Sequence, residues 1–224
     1  MSDYDAVLFD LDGTLADTAG DLGHALNLQR KTRGLQPIPM ASIRPHASAG
    51  ARGLLRLGFD LEPGDPEYEA MRSEFLALYA QNLSRSTELF AGVASLLDTL
   101  SRFNLRWGVV TNKPKRFTIP VLRALGLLDR AACVICGDMA SNPKPHPAPL
   151  LDAAAALNLR PAACLYVGDD ERDVIAAHAA GMDVVVALYG YLGNGTPPQA
   201  WGAEGTIESP PDLVHLMRLE NRQV

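Results

Sequence analysis

The sequence predicts an α/β protein: a Rossmann-like core with a parallel sheet and helices on both faces, plus an inserted all-helical cap. Two observations predict this class. Short apolar runs alternate with amphipathic helical patterns along most of the chain, which is typical of a parallel sheet covered on both faces. The alternation is interrupted once, after the first apolar run, by a long stretch whose patterns are helical only.

Five segments resemble strands that are buried on both faces. Each is a short apolar run that ends at Asp, Asn or Gly and lacks the polar alternation of a half-exposed strand. They cover 6–10, 106–112, 131–138, 163–170 and 182–190. The uncharged stretch 184–203 includes the last of them, but its many Gly and Pro residues would break a membrane helix. We therefore expect a strand followed by a loop there.

Helical patterns fill the intervals between these strands. The segment 93–103 places apolar residues at the i, i+3, i+4 and i+7 spacing of an amphipathic helix. Further helices are predicted over 116–125, 147–157 and 171–180. Pro120 falls inside the first of these three, where a proline is expected to kink or end the helix.

The stretch between the first two strands defines the predicted domain organisation. It contains helical patterns at 17–34 and 66–83, separated by several Pro and Gly residues. We therefore predict a Rossmann-like core formed by 1–15 and 89–224, with a helical cap domain formed by 16–88.

Composition excludes several classes of function. The 224 residues include 20 basic and 26 acidic ones, giving a net charge of -6, and the pI is about 5.3. A general nucleic-acid binder would carry a basic surface. Three cysteines suit a reducing compartment, and the first apolar run is too short for a signal peptide. We expect a cytoplasmic protein that binds neither nucleic acid nor membrane, and the sequence leaves its oligomeric state open.

The first strand ends in two carboxylates, Asp10 and Asp12, followed by Gly13. Ligands of open α/β sheets bind beyond the carboxyl ends of the strands, so both side chains can face that crevice. Two nearby negative charges are costly unless a cation or protons compensate. Mg²⁺, which prefers oxygen ligands, is the expected cation.

Three further elements complete a set of groups suited to phosphoryl transfer. Thr111 and Asn112 end the second predicted strand and offer a hydroxyl and N–H groups, whereas Lys144 stands between two prolines as a rigid point charge. Segment 168–173 contains four carboxylates. An acid, a hydroxyl, an amine and a second acid are the components of phosphoryl transfer through a carboxylate nucleophile.

These elements resemble the four motifs of the haloacid dehalogenase superfamily, in the same order and over nearly the whole chain. The matching segments are DxDGT at 10–14, Thr-Asn at 111–112, Lys144 and GDxxxD at 168–173. The predicted insert is similar to the superfamily's small helical cap. VTNKP, KPHP and VGDDERD are most similar to its phosphoglycolate phosphatase branch. ALYGY at 187–191, with Trp201-Gly202-Ala203 downstream, also resembles the N-acetylmuramic acid 6-phosphate phosphatases.

The resemblance implies a Mg²⁺-dependent phosphomonoester hydrolase that works through an aspartyl phosphate. Asp10 would attack phosphorus, and Asp12 would protonate the leaving alcohol and then activate water. The Asp10 carboxylate, the Asp12 backbone carbonyl and Asp169 would bind Mg²⁺.

The same resemblance assigns the phosphate site. Thr111 and Asn112 would bind and orient the phosphoryl group, and Lys144 would stabilise both that group and the nucleophile. Asp173 would support the site from behind by holding the lysine or a water ligand of the metal. Asp170 stands where Ser or Thr is more usual, and capping the next helix is its expected role over a metal contact.

Substrate choice is expected to depend on the cap, and Arg52 is the residue predicted there to contact the substrate. The alternative for Arg52 is a solvated surface side chain. For His146 the two alternatives are a place near the site and a place at the start of a helix. A small phosphorylated metabolite is the expected partner. 2-Phosphoglycolate is the first candidate substrate, and N-acetylmuramic acid 6-phosphate is the second. The alternatives to a phosphatase are a sugar-phosphate mutase and a phosphate-sensing scaffold without turnover.

Overall fold

The computed structural model describes residues 4–193 and 195–219. Its centre is a parallel sheet of six strands in the order β5-β4-β1-β6-β7-β8. The strands are β1 (Ala6–Phe9), β4 (Arg106–Val110), β5 (Val134–Ile135), β6 (Cys164–Gly168), β7 (Asp183–Ala187) and β8 (Gly205–Ile207). Five of them lie within the predicted segments, and the short edge strand β8 was not predicted.

Strand β1 is central because it pairs with β4 on one side and β6 on the other. Phe9 is level with Val109 and with Val167, and all four β1 residues are buried. Burial on both faces explains its uninterrupted apolar sequence. The residues that follow β1, β4 and β6 therefore lie together at one edge of the sheet.

Helices cover both faces of the sheet, as predicted. They are α5 (Val93–Arg102), α6 (Lys115–Ala124), α7 (Ala148–Ala156), α8 (Glu171–Ala180) and α9 (Asp212–Leu216). Helices α5, α6 and α9 pack against one face of the sheet, and α7 and α8 pack against the other. Helix α6 runs through Pro120 instead of ending there.

The segment between β1 and β4 contains the remaining four α-helices of the described residues. These are α1 (Ala19–Lys31), α2 (Met40–Ile43), α3 (Gly50–Phe59) and α4 (Tyr68–Gln81), with a 3₁₀ segment at Arg44–Ala49. Their apolar residues form a separate cluster, which Phe117 and Tyr191 join from the sheet side. The exact boundaries of the cap at 16 and 88 remain a prediction.

A two-stranded ribbon stands where the chain leaves the sheet for these helices and where it returns. Strands β2 (Ala16–Asp17) and β3 (Glu88–Leu89) pair antiparallel, with Ala16 opposite Leu89. The two chain segments that lead into and out of the helical insert are thereby held side by side. None of the helices in the described part of the chain combines the length and hydrophobicity needed to cross a lipid bilayer.

Candidate active site

Residues from four predicted elements meet beyond the carboxyl ends of β1, β4 and β6. Asp10, Thr111 and Asp169 each directly follow a strand. Asp10 also continues the sheet pairing, because its N–H donates to the carbonyl of Val167 at 2.9 Å. The site thus stands at the sheet edge where open α/β proteins bind their ligands.

The loop after β1 requires glycine at position 13. Gly13 has φ +90°, and a Cβ there would stand 2.2 Å from a carboxylate oxygen of Asp169. Any side chain at this position would therefore displace Asp169, and the left-handed backbone adds strain for other residues. The close approach of the two loops depends on this glycine.

Lys144 is the buried cation at the centre of the site. Its Nζ lies 3.1 Å from Oδ1 of Asp10 and 2.7 Å from Oδ1 of Asp173. It also donates to the hydroxyl of Tyr166 and the carbonyl of Val110, at 2.7 and 3.1 Å. Burial alone would lower the pKa of Lys144, but the two carboxylates outweigh it and raise the pKa. Lys144 therefore stays charged beside the predicted nucleophile.

Asn112 holds the loop that carries Lys144. Its side-chain amide donates to the carbonyl of Lys144 and accepts from the N–H of Lys144, both at 2.9 Å. The amide is thus engaged with the protein backbone, whereas the sequence prediction assigned it to the phosphoryl group. The hydroxyl of Thr111, in contrast, accepts from the N–H of Lys113 at 3.1 Å and also borders the cavity described below.

Three buried carboxylates form a group that suits a hard cation. Asp10, Asp169 and Asp173 each offer an oxygen, and these oxygens all lie within 4.8 Å of one another. Burial raises the pKa of Asp10 to about 6, against the opposing effect of Lys144. Burial also raises the pKa of Asp169 well above its ordinary value, and the charges of Asp10 and Asp173 add to that rise. A divalent cation with oxygen preference would offset this repulsion.

Asp169 receives hydrogen bonds from three directions. Oδ1 accepts from the hydroxyl of Thr14 at 3.0 Å, while Oδ2 accepts from the hydroxyl of Ser48 and the N–H of Tyr191, both at 2.9 Å. Ser48 belongs to the 3₁₀ segment of the helical insert. The insert therefore contacts the predicted metal ligand directly. The sequence predicted neither the contact of Ser48 nor that of Tyr191 with Asp169, because each residue is distant from Asp169 in sequence.

Asp12 points away from the three-carboxylate group. Its carboxylate accepts from the hydroxyl of Thr18 at 2.6 Å and pairs with the ammonium of Lys113 at 2.9 and 3.2 Å. Its predicted share in a metal site would thus come from its backbone carbonyl. Sequence reasoning gave Lys113 no role, although it directly follows Thr111-Asn112, a signal that could have identified it.

Asp170 caps helix α8 in the expected way. Its side chain accepts from the N–H of Arg172, and the side chain of Asp173 accepts from the N–H of Asp170, completing a capping box. The guanidinium of Arg172 pairs with both carboxylate oxygens of Asp170 at 2.7 and 2.8 Å and donates to the carbonyl of Ser48 at 3.0 Å. Asp170 therefore also orients a contact to the helical insert.

Two other predicted residues lie at the margin. Arg52 borders the cavity, but its side chain is 69% exposed and its ion pair with Glu62 is long, at 3.4 Å. His146 is exposed, and its Nδ1 accepts from the N–H of Ala148 at 3.1 Å, as a helix-start residue would. Neither residue contacts the carboxylate group.

A cavity of about 240 Å³ lies between the carboxylate group and the insert. Asp10, Asp12 and Lys113 border it on the sheet side, and a largely aromatic wall borders it on the other. That wall includes Tyr68, Phe75 and Tyr79 of the insert, and Phe117 of α6 borders the cavity from the sheet side. The volume is slightly below the usual range for drug-sized ligands, roughly 300–1,000 Å³, so a small metabolite fits it best.

Comparison with known proteins agrees with this geometry. The model of the family described as haloacid dehalogenase-like hydrolase matches residues 7–187. A phosphoglycolate phosphatase from Xanthomonas campestris is 43% identical over 93% of this chain and 94% of its own. An N-acetylmuramic acid 6-phosphate phosphatase from Pseudomonas putida is 42% identical over 93% of each chain. Relatives with the two different names are thus almost equally similar to this chain.

Solved structures show the same architecture. A crystal structure from Haemophilus somnus, described as a predicted phosphoglycolate phosphatase, superposes with a TM-score of 0.82 at 27% identity. The match covers 96% of this chain and 99% of the other. The sheet, its flanking helices and the helical segment between β1 and β4 therefore follow an arrangement already seen by crystallography.

Proposed function

The chain belongs to the haloacid dehalogenase-like hydrolases. We propose that it is a Mg²⁺-dependent phosphatase that hydrolyses the phosphate ester of a small hydroxy acid, with 2-phosphoglycolate as its leading substrate. The phosphatase names of relatives above 40% identity make it a phosphoric monoester hydrolase. The metal, the covalent intermediate and the substrate are the proposed part.

The observation that carries the proposal is the position of Lys144 between Asp10 and Asp173. A buried ammonium keeps Asp10 ionised, and only an ionised carboxylate is a nucleophile. An Asp10 oxygen would form a bond to phosphorus while the bond from phosphorus to the ester oxygen breaks. Lys144 would also offset negative charge on the equatorial phosphoryl oxygens.

Asp12 would serve the leaving group and then the water. It would give its proton to the departing alkoxide and next take a proton from the water that attacks phosphorus. That attack would break the bond between phosphorus and Asp10 and release phosphate. A dehalogenase has no alkoxide to protonate, so an acid at this position favours phosphate esters over carbon–halogen bonds. A general acid of this kind contributes about 10²–10⁴-fold in rate.

The three-carboxylate group would hold the metal. Asp10 and Asp169, with the backbone carbonyl of Asp12, are oxygen donors of the kind that Mg²⁺ prefers. Asp173, whose Oδ1 accepts from the ammonium of Lys144, would hold that lysine behind the metal ligands. When bound, Mg²⁺ would supply charge stabilisation to the transferring group. Ser48 would keep the insert in contact with Asp169 on the side facing the cavity.

N-acetylmuramic acid 6-phosphate is the second candidate substrate. The cavity extends from Asp10 to the aromatic wall of the insert. The Pseudomonas putida relative carries this activity in its name. A sugar-phosphate mutase would use the same core chemistry but would need to keep water from the intermediate.

The test is a comparison of kcat/KM with Mg²⁺ on four esters. They are 2-phosphoglycolate, N-acetylmuramic acid 6-phosphate, glucose 6-phosphate and β-glucose 1-phosphate. We expect 2-phosphoglycolate to exceed the others by roughly 100-fold, about 2.7 kcal/mol of differential transition-state binding. A similar margin for the amino-sugar ester would replace the leading substrate. Conversion of β-glucose 1-phosphate to an isomer would identify a mutase, and no turnover of any ester by folded protein would support a scaffold.

A further inference from the structure

Lys113 is a buried cation to which the proposed chemistry gives no role toward the substrate. Its side chain is 6% exposed, and its Nζ lies 2.9 Å from Oδ1 of Asp12 and 4.8 Å from the centre of the Tyr79 ring. Its ammonium therefore lies beside the predicted general acid, on a wall of the cavity.

Tyr79 supplies a second, independent observation. It is 1% exposed, and its hydroxyl donates no hydrogen bond to any described residue, although the ammonium of Lys113 lies next to it. Burial raises the pKa of Tyr79, so the hydroxyl remains a neutral donor. A buried hydroxyl without an acceptor is costly, and Tyr79 borders the same cavity. A ligand that offers an acceptor there would remove the cost.

The other cations that border the cavity have less freedom or less burial. Lys144 stands between Asp10 and Asp173, and Arg172 pairs with Asp170. Arg52 and Arg72 have side chains that are 69% and 43% exposed. Solvent weakens the pull of such exposed charges on an anion. Lys113 is therefore the buried cation on the leaving-group side of the described cavity.

We propose that Lys113 and the hydroxyl of Tyr79 bind a carboxylate carried by the substrate's leaving group. This inference rests on the proposed function, because it uses Asp12 to locate the ester oxygen of the leaving alcohol. In 2-phosphoglycolate a single methylene separates that oxygen from the carboxylate. A carboxylate so close to Asp12 lies within reach of an ammonium that already contacts Asp12.

The chemistry of the pair matches a carboxylate. An ammonium has three donors, and Lys113 directs two contacts to Asp12. Tyr79 adds a neutral O–H from the neighbouring helix α4. One charged and one neutral donor can each bind one oxygen of a carboxylate, with the charge-assisted bond the stronger of the two.

The experiment compares two esters that differ in one group. 2-Phosphoglycolate carries a carboxylate where 2-hydroxyethyl phosphate carries a neutral hydroxymethyl group. The measured quantity is the ratio of their kcat/KM values, because a general loss of catalysis cancels in it. We expect the ratio in the wild-type protein to be about tenfold or more, equivalent to about 1.4 kcal/mol.

Lys113→Met should reduce that ratio to near one, and Lys113→Arg should retain part of it. Tyr79→Phe, which removes only the hydroxyl, should reduce it several-fold. Lys115→Met is the matched control, because Lys115 is an exposed lysine nearby at the start of α6. The control should leave the ratio at its wild-type value.

The outcomes separate the inference from the function on which it rests. A preference for the acid that Lys113→Met fully retains in every pair of esters in which the wild-type protein shows it would overturn the inference and leave the phosphatase function intact. Equal hydrolysis of both esters by the wild-type protein would overturn the leading substrate, and it would overturn the carboxylate site too unless discrimination in the amino-sugar pair depends on Lys113. Hydrolysis of neither ester would contradict the proposed function itself.

A second pair of esters identifies the source of the carboxylate. N-acetylmuramic acid 6-phosphate carries a lactyl carboxylate that N-acetylglucosamine 6-phosphate lacks. If Lys113→Met removes discrimination in this pair and not in the first, the site binds a carboxylate from the amino sugar. If the wild-type protein discriminates only in this second pair, and Lys113→Met discriminates equally well, the inference is wrong.

Binding measurements cover the case in which Lys113→Met has no turnover. Calorimetry with 3-phosphonopropanoate and with propylphosphonate compares an acid and a neutral analogue that the enzyme does not hydrolyse. We expect the wild-type protein to bind the acid about tenfold more tightly, and Lys113→Met to bind the two analogues equally. Circular dichroism checks that each variant is folded. If Lys113→Met does not fold, the affinities of Lys113→Arg for the two analogues are compared instead.

Discussion

Asp10 experiences two opposing influences at the residue scale. Burial disfavours its charge and raises its pKa to about 6, while Lys144 at 3.1 Å favours the charge. The neighbouring carboxylates of Asp173 and Asp12 raise the pKa further. The protein therefore holds its predicted nucleophile in an environment that a bound cation would improve. This is an expected property of a site that binds a metal in its working state.

The raised pKa of Asp10 predicts a pH-dependent stability of the metal-free protein. Between about pH 4 and pH 6 the folded state binds the Asp10 proton and the unfolded state does not, so this residue's contribution to stability falls as pH rises. Asp10→Asn removes the effect. We expect the Tm of the variant to exceed that of the wild-type protein by more at about pH 7 than at about pH 5.

Thermal melts at both pH values, with and without Mg²⁺, check this prediction. Mg²⁺ should raise the Tm of the wild-type protein more than that of Asp10→Asn, because one ligand is lost. A Tm difference that does not change with pH would show that Asp10 has an ordinary pKa in the metal-free fold.

At the element scale, the loop after β7 connects the three-carboxylate group with the start of α1. The Tyr191 hydroxyl accepts from the N–H groups of Thr18 and Ala19 at 2.7 and 2.9 Å and donates to Asp17 at 3.0 Å. The first N–H groups of a helix have no partner inside the helix, and Thr18 provides no side-chain cap. Tyr191 thus caps α1 from another part of the chain, while its own N–H holds Asp169.

Tyr191→Phe should therefore destabilise the protein by about 1–3 kcal/mol, because buried N–H groups lose their acceptor. Urea unfolding measures the change. Tyr189→Phe is the matched control from the same loop, since its hydroxyl makes a single bond, donated to the carbonyl of Thr14. We expect a smaller loss for the control. Equal losses of unfolding free energy for the two variants would mean that the capping of α1 by Tyr191 adds no stability beyond that of a single hydrogen bond.

The strands that the sequence predicted are those that form a continuous apolar run. β1, β4, β6 and β7 are buried on both faces and have continuous apolar sequences. The ribbon of β2 and β3 and the edge strand β8 were missed, because their two or three residues include Asp, Glu or Gly and form no apolar run. The equally short β5 was predicted because it lies inside a longer apolar run.

The site was predictable where it consists of contiguous motifs. Asp10, Lys144 and Asp169 were found because each belongs to a short pattern with its own chemistry. The contacts of Ser48 and Tyr191 with Asp169 were not, because the fold alone joins such distant positions. Asn112 shows the converse: its motif was found, but its bonds to Lys144 required coordinates.

At the scale of the whole molecule, the insert and the sheet meet at the charged centre. Ser48 donates to Asp169, and Arg172 donates back to the carbonyl of Ser48. These contacts place the cavity between the two parts and partly cover it. Covering the site would limit the access of water to the reacting group, which would favour the proposed transfer to Asp10.

The most direct test of this account is the rate of 2-phosphoglycolate hydrolysis by wild-type protein and by Asp10→Asn. It is measured with Mg²⁺ and again after the metal is removed with a chelator. We expect turnover only for the wild-type protein with Mg²⁺, and none for the folded variant under either condition. Hydrolysis by Asp10→Asn at the wild-type rate would contradict the assignment of the nucleophile, and full activity without metal would contradict the role of the three carboxylates.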